Sequence, residues 1–384
     1  MRIGLVFSGC HPRGGVERVV WEAANYLADR HEVTVITAEA DPLPANVVVD
    51  LVEARGGSAL EPFRFRAAAR RALARHSLDL TVSFGSNCPP GDVLVVGSVH
   101  RAWVERGTPV RVGPLSVPGA ARRLLPRHLT RLRAESQWFG RSPTATVIAV
   151  SENVAEDLHR YYGVASSAVR VIPNGFSPTQ CSAARRRELR PTMRARLGIR
   201  EDEIAILLVA NEWHRKGLGV VVRAMARVGD PRVRLILVGR MAPTAYQGLI
   251  DQLGLRDRVQ WCGVANDVAE YHACADLFVM PTAYEAFGSV IVEALGSGVP
   301  VITSAAAGAG VAVQEDGNGL LQRDPTDDAE LAALLNRALV PGVLERWSAA
   351  AAASVALYTW PRVMERFEAA LLEHATRRQG NDPL

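Results

Sequence analysis

The chain has 384 residues, 48% of them hydrophobic and 22% charged, with a formal net charge of +4. That length exceeds one ordinary core and that apolar content excludes disorder, so two packed domains are expected. No apolar run of about 18 residues is available to cross a bilayer, the start MRIGLVFSGCHPRGG reads as a strand without a cleavable signal, and neither zinc-finger spacing nor a long basic tail accompanies the mild basicity, so a cytoplasmic protein that binds no nucleic acid is expected.

In chain order, RIGLVF at 2–7 is followed by a helical stretch near 16–29, then HEVTVIT at 31–37, VVVDLVE at 47–53 and LDLTVSFG at 78–85. DVLVVGSV ending at Val99, TVIAV ending at Val150, a helix over about 152–162 and AVRVIPNG closing at Gly175 continue the series. Strand alternating with helix predicts a parallel sheet, because parallel neighbours need a crossover between them. Residues 1–175 are therefore expected to form one Rossmann-like domain. An arginine-rich stretch at 180–196 reads as a linker. A second doubly wound domain, over 190–355, is expected from IAILLVA at 204–210, RLILVG at 234–239, RVQWCG at 258–263, LFVMP at 277–281 and VPVITS at 299–304. Neither half carries a G-x-G-x-x-G loop with an acidic residue about 20 positions on, which disfavours a dehydrogenase. Cys10, Cys88, Cys181, Cys262 and Cys274 are scattered without metal-ligand spacing and read as reduced and structural.

The segment EAFGSVIVEALGSGVPVIT puts Glu285 in a loop after a buried strand, Gly288 at a helix start and Glu293 on that helix. Free backbone N–H groups and the positive end of the helix dipole make Gly288, Ser289 and Val290 a cradle for a diphosphate. A loop carboxylate suits sugar hydroxyls and one a turn into the helix suits ribose hydroxyls. The run VANEWHRKGLGVV puts Arg215 and Lys216, the only lysine, at the carboxyl end of a strand, where α/β sheets bind ligands. Two cations there would stabilise charge developing on a leaving diphosphate, at about 1.5–3 kcal/mol per charge-assisted bond.

Together these residues resemble glycosyltransferase family 4, whose members have the two-domain GT-B fold and a Glu-x7-Glu motif, here Glu285 to Glu293. The likeness also takes in the GGVER loop with Gly14 and Gly15, VSENV after Val150, VIPNGF at 171–176, and a late YTWPRVMERF similar to the family's cross-over helix, so that 356–384 would return to the first domain. The resemblance implies a retaining enzyme working in a cleft between the domains, without metal or other cofactor; no Asp-x-Asp pair stands where a metal would bridge phosphates. It implies that Glu285 contacts the transferred sugar, Glu293 the ribose, Arg215 and Lys216 the diphosphate, and Gly14, Gly15, Phe287, Gly288, Ser289 and Val290 the donor. His100, after the strand DVLVVGSV, is the best polar candidate in the first half, and family members often carry a sugar-contacting histidine there. The chain departs from the family at Ala210 and Asn211, and in GAGVAV, which lacks the usual late glutamate. The adjacent Arg-Lys pair is similar to the lipopolysaccharide-core glucosyltransferase branch. The implied donor is a nucleotide-diphosphate sugar, first UDP-glucose or UDP-N-acetylglucosamine. The implied acceptor is an envelope glycan, a lipid-linked sugar or a small molecule. A catalytically silent nucleotide-sugar-binding subunit would need neither Glu285 nor His100.

Between 101 and 141 stand nine arginines, Arg101, Arg106, Arg111, Arg122, Arg123, Arg127, Arg131, Arg133 and Arg141, against only Glu105 and Glu135. Leu124, Leu125, Leu129, Leu132, Trp138 and Phe139 interleave with them, as in helices lying on an anionic bilayer; a solvated basic face, or a patch steering an anionic donor or acceptor, is the alternative. Pro126 is expected to divide the segment into two short helices.

Overall fold

The computed structural model describes residues 1–384 apart from 54–60, 107–109, 113–114, 118–124, 140–145, 241–242 and 381–384. Two compact units are present: unit 1 comprises Met1–Asn174 with Trp360–Leu384, and unit 2 comprises Gly175–Thr359.

The main sheet of unit 1 has seven parallel strands in the spatial order Val169–Val171, Thr146–Ala149, Val93–Val96, Leu80–Phe84, Arg2–Val6, Glu32–Thr37, Val48–Leu51. The Val16–Leu27 helix buries Val19, Val20, Ala23, Ala24 and Leu27, the three-and-four spacing of a single apolar stripe. Its cap residue Gly15 offers no side chain to the first N–H groups. The last helix, Trp360–Gly380, lays Trp360, Val363, Met364, Phe367, Ala370 and Leu371 into the same core as Ile3 and Leu5. The VSENV motif has a local cause: Ser151 Oγ accepts from Val154 N at 3.2 Å, capping the Glu152–Tyr162 helix, and Gly163 ends it at φ 68°.

Unit 2 has six parallel strands ordered Val259–Gly263, Val233–Val238, Ile204–Val209, Leu277–Met280, Val301–Ser304, Gly319–Gln322. Helices cover both faces, which is why Ile206, Leu207 and Leu208 are all buried in an unbroken apolar run. The stretch expected to be a linker is instead the helix Ala183–Arg196, capped by Ser182. Its arginines work inside unit 2. Arg186 and Arg190 donate to Ala275 O at 2.8 and 3.1 Å, and Arg194 to Cys274 O at 3.2 Å, satisfying carbonyls where the Val268–Cys274 helix ends.

Pro126 opens the helix Pro126–Phe139, at the position where a missing N–H costs no helical hydrogen bond; residues 118–124, on which the other expected short helix falls, lie outside the described residues. Trp138 and Phe139 are buried, Leu125 and Leu129 are exposed, and Arg131 and Arg133 are exposed on the same helix. Arg106 pairs with the buried carboxylate of Asp157 at 2.5 Å, and Arg101 pairs with Glu105 at 3.3 Å. Arg122, Arg123, Arg141 and Leu124 lie outside the described residues, and the side chains of Arg111 and Arg127 are not among those described. None of the five cysteines is joined in a disulfide.

Candidate active site

In unit 2 the strand Ile204–Val209 runs through Ala210 and Asn211 into a turn that ends at Gly217, where the Leu218–Val228 helix begins. Gly217 has φ 82°, and a Cβ there would lie 2.3 Å from Pro281 O, so only glycine lets this turn rest on the end of the neighbouring strand. Ala283 N and Thr282 Oγ1 donate to Arg215 O at 3.0 and 3.2 Å. These bonds to the backbone join the turn to the loop that carries Glu285.

The side chains then converge. Lys216 Nζ and Arg215 Nη1, the latter at 3.0 Å, both donate to Glu285 Oε2, and Arg215 Nε donates to Glu212 Oε2 at 3.0 Å. Lys216 is 9% exposed, and the Arg215 and Glu285 side chains are 16% and 17% exposed, so the pairing is only lightly screened by water. Burial by itself would raise the Glu285 pKa, but the charges and hydrogen bonds of Lys216 and Arg215 outweigh it and hold the carboxyl below its ordinary value. Burial dominates at Lys216 and lowers its pKa against the pull of Glu285. At Arg215, Glu285 and Glu212 overcome burial and raise it.

Beside this cluster Gly288, at φ 91°, caps the Ser289–Gly296 helix without any side-chain hydrogen bond, which leaves the first turn around Ser289 and Val290 uncapped by side chains. Glu293 is half-buried one turn after Ser289, on the same helix face. Phe287 is turned inward, its ring 6.3 Å from that of Tyr358, and acts on the loop from inside. The segment lacking the family's late glutamate holds this loop in place, since Gly308 N donates to Glu285 O at 3.0 Å and Ala309 N to Phe287 O at 2.8 Å. Backbone groups make these contacts, and they require no carboxylate.

Unit 1 contains a cavity of about 520 Å³ at the ends of its central strands, with Ser8, Glu17, Asn87, Ser98, His100 and Glu135 among its walls. Gly14 and Gly15 precede Val16 and Glu17, which line it. Glu17 folds back so far that a Cβ on Gly14 would meet its Oε2 at 2.2 Å. His100 opens the helix His100–Arg106. Burial first, then the charges of Arg131 and His128, push its pKa down to about 4, so the ring is neutral at pH 7.

Glu135, in the sequence only an acid within a basic patch, organises this corner. It is 2% exposed and accepts from His100 N at 2.7 Å, Arg101 N at 3.1 Å and Tyr162 O–H at 2.6 Å. Burial outweighs those hydrogen bonds and raises its pKa. The available sequence signal is a lone acid at the three-and-four spacing of the buried Ala134, Trp138 and Phe139 face.

Two doubly wound parallel sheets with these strand-end sites define a glycosyltransferase of the GT-B class. Residues 13–180 match the family model Glycosyltransferase Family 4, and residues 190–352 match Glycosyl transferases group 1. The first half thus carries a family 4 glycosyltransferase domain and the second a group 1 glycosyl transferase domain. The chain is 26% identical to the lipopolysaccharide glucosyltransferase WaaG of Escherichia coli over 340 residues, 87% of this chain and 88% of that one. It is 32% identical to a D-inositol 3-phosphate glycosyltransferase of Xylanimonas cellulosilytica over 237 residues, 55% of this chain and 56% of that relative. Among solved structures, WaaG superposes with a TM-score of 0.81 at 23% identity, covering 96% of this chain and 99% of that one. HepE of Anabaena, solved with UDP and glucose, superposes with a TM-score of 0.73 at 22% identity, covering 97% of this chain and 100% of that one.

Proposed function

We propose that the enzyme is a retaining hexosyltransferase that moves glucose or N-acetylglucosamine from a UDP-linked donor to an envelope glycan, a lipid-linked sugar or a small hydroxylated acceptor. The observation that carries this is the Arg215–Lys216–Glu285 cluster beside the uncapped start of the Ser289–Gly296 helix. Two buried or half-buried cations and the N–H groups of the helix start suit an anion, with the carboxylates of Glu285 and Glu212 paired to the cations. The UDP assignment draws on the likeness to HepE, and the hexose assignment on the likeness to WaaG.

In this mechanism the diphosphate lies on the helix start with Arg215 and Lys216 on its oxygens, and Glu293 takes the ribose hydroxyls. The bond from the sugar C1 to the diphosphate breaks and its electron pair leaves on phosphate, where the two cations and the helix dipole stabilise it. The acceptor oxygen bonds to C1 on the same face and its proton passes to the departing phosphate oxygen, so the anomeric configuration is kept. Glu285 orients the sugar, and His100 meets a sugar hydroxyl as a neutral ring. We assign no metal to these steps, because arginine, lysine and the helix end supply the positive charge.

The exposed Leu125, Leu129 and Arg133, four residues apart, suit an anionic bilayer surface, which would bring the enzyme to a membrane-held acceptor. No helix among the described residues is long and apolar enough to cross a membrane. The functional test is slow hydrolysis of UDP-, GDP- and dTDP-sugars by the purified protein, which needs no acceptor. UDP release from UDP-glucose or UDP-N-acetylglucosamine is expected, followed by an α-linked product once an acceptor is supplied. A β-linked product would overturn the retaining mechanism. Co-sedimentation with anionic but not neutral vesicles, fading with salt, is the expected outcome for the membrane face.

A further inference from the structure

His100 is tethered at both ends. Its backbone N–H is fixed by Glu135 Oε1, and its ring Nε2 lies 3.1 Å from Nδ1 of His128, a residue 4% exposed on the Pro126–Phe139 helix. The two imidazoles are inclined by 25° with centroids 5.2 Å apart. Trp103, one helical turn after His100, lies nearly parallel to the His100 ring at 5.6 Å and 13°, and its centroid is 5.6 Å from that of His128. The His100 ring therefore has neighbours that restrict its rotation. Its other nitrogen, Nδ1, has no hydrogen-bond partner among the described residues, and His100 lines the cavity.

A hydrogen bond between two imidazole nitrogens holds one proton between them. If His100 Nε2 carries it, Nδ1 is bare and can only accept; if His128 Nδ1 carries it, His100 Nδ1 bears a hydrogen and donates. Either way the hydrogen-bond character of the other nitrogen, Nδ1, is set by His128. We propose that His128 is a positioning residue that locks the ring of His100 and the tautomer it presents to a hydroxyl in the unit 1 cavity. The functional half of this claim rests on His100 meeting a sugar hydroxyl, as in the mechanism above; the positioning half does not. The charged and titratable groups around the pair are Arg131 and Glu135 on the His128 helix, Arg101 next to His100, and Glu17 from the Val16–Leu27 helix across the cavity.

The test compares His128→Leu, which removes both ring nitrogens, with His128→Asn, whose amide keeps a polar atom near the place of Nδ1. Nitrogen-15 shifts of labelled histidine in the full chain report the His100 tautomer directly. Wild type and His128→Asn are expected to show one tautomer and His128→Leu a mixture. Transfer kcat/KM is expected to fall by about ten-fold in His128→Leu and recover to within about three-fold in His128→Asn, with UDP affinity unchanged in both. His128→Gln, whose longer amide displaces the polar atom, gives the same loss of tautomer fixation should the leucine variant fail to fold. An unchanged His100 signature in a folded His128→Leu or His128→Gln protein would overturn the positioning role. A released tautomer with undiminished turnover would overturn the assignment of His100 to the sugar.

Discussion

In unit 2, two cations are drawn onto one carboxylate oxygen, Glu285 Oε2, whereas in unit 1 a histidine is kept uncharged by burial and its neighbours. The first arrangement is assembled from two strand-end loops whose backbones are bonded to each other, so its residues are near in topology. The second depends on side chains of the Pro126–Phe139 helix reaching back 28 and 35 residues to His100. Ionic stabilisation therefore comes from the sheet edge, and neutral hydrogen bonding comes from helix packing. Glu285 has two roles as a result. Assigning it to the sugar alone leaves out its hold on both cations, so its loss should reach the nucleotide as well.

The largest expected effect is at the cations: Lys216→Ala and Arg215→Ala should each lower kcat by about 10²-fold or more, with the circular dichroism of the fold intact. Wild-type turnover in either variant would break the contrast between the two units. Glu285→Gln sharpens it, with a loss of about 10²-fold in kcat and a few-fold weaker UDP binding, because Arg215 and Lys216 lose their shared carboxylate. Glu293→Gln should instead weaken UDP by about ten-fold and spare kcat, which calorimetric titration beside steady-state kinetics would separate.

Stability gives the corresponding test in unit 1. Glu135→Gln puts an amide N–H₂ against at least one of three donors and is expected to cost about 2 kcal/mol, read from the urea midpoint. A loss near zero would show that the His100–Arg106 helix does not depend on this carboxylate.

The smallest effect concerns His272 in unit 2, wholly buried with neither ring nitrogen hydrogen-bonded among the described residues and its pKa pushed by burial from 6.5 to about 3. Between those two values the unfolded chain binds a proton that the folded chain refuses, so stability falls as pH drops below 6.5 and the loss is complete only near 3. Between pH 7 and pH 5.5 this amounts to roughly 1 kcal/mol. His272→Leu should flatten the pH dependence of the urea midpoint by that amount, and an unchanged slope would locate the acid sensitivity elsewhere.

Local pattern determined the parallel α/β class, the strands of both main sheets other than Gly319–Gln322, and the positions of Arg215, Lys216, Glu285 and Glu293, because strand runs, helix periodicity and strand-end loops are properties of neighbouring residues. The same locality explains where the sequence misleads. The arginines of 180–196 read as a linker but close the carbonyls at the end of the Val268–Cys274 helix. Whether an arginine faces water or a buried carbonyl, and whether Glu135 and His128 meet His100, depends on how helices far apart in the chain pack on one sheet. Only the tertiary structure decides that, because burial turns a lone acid or histidine from a solvated surface group into one that must find a hydrogen-bond partner.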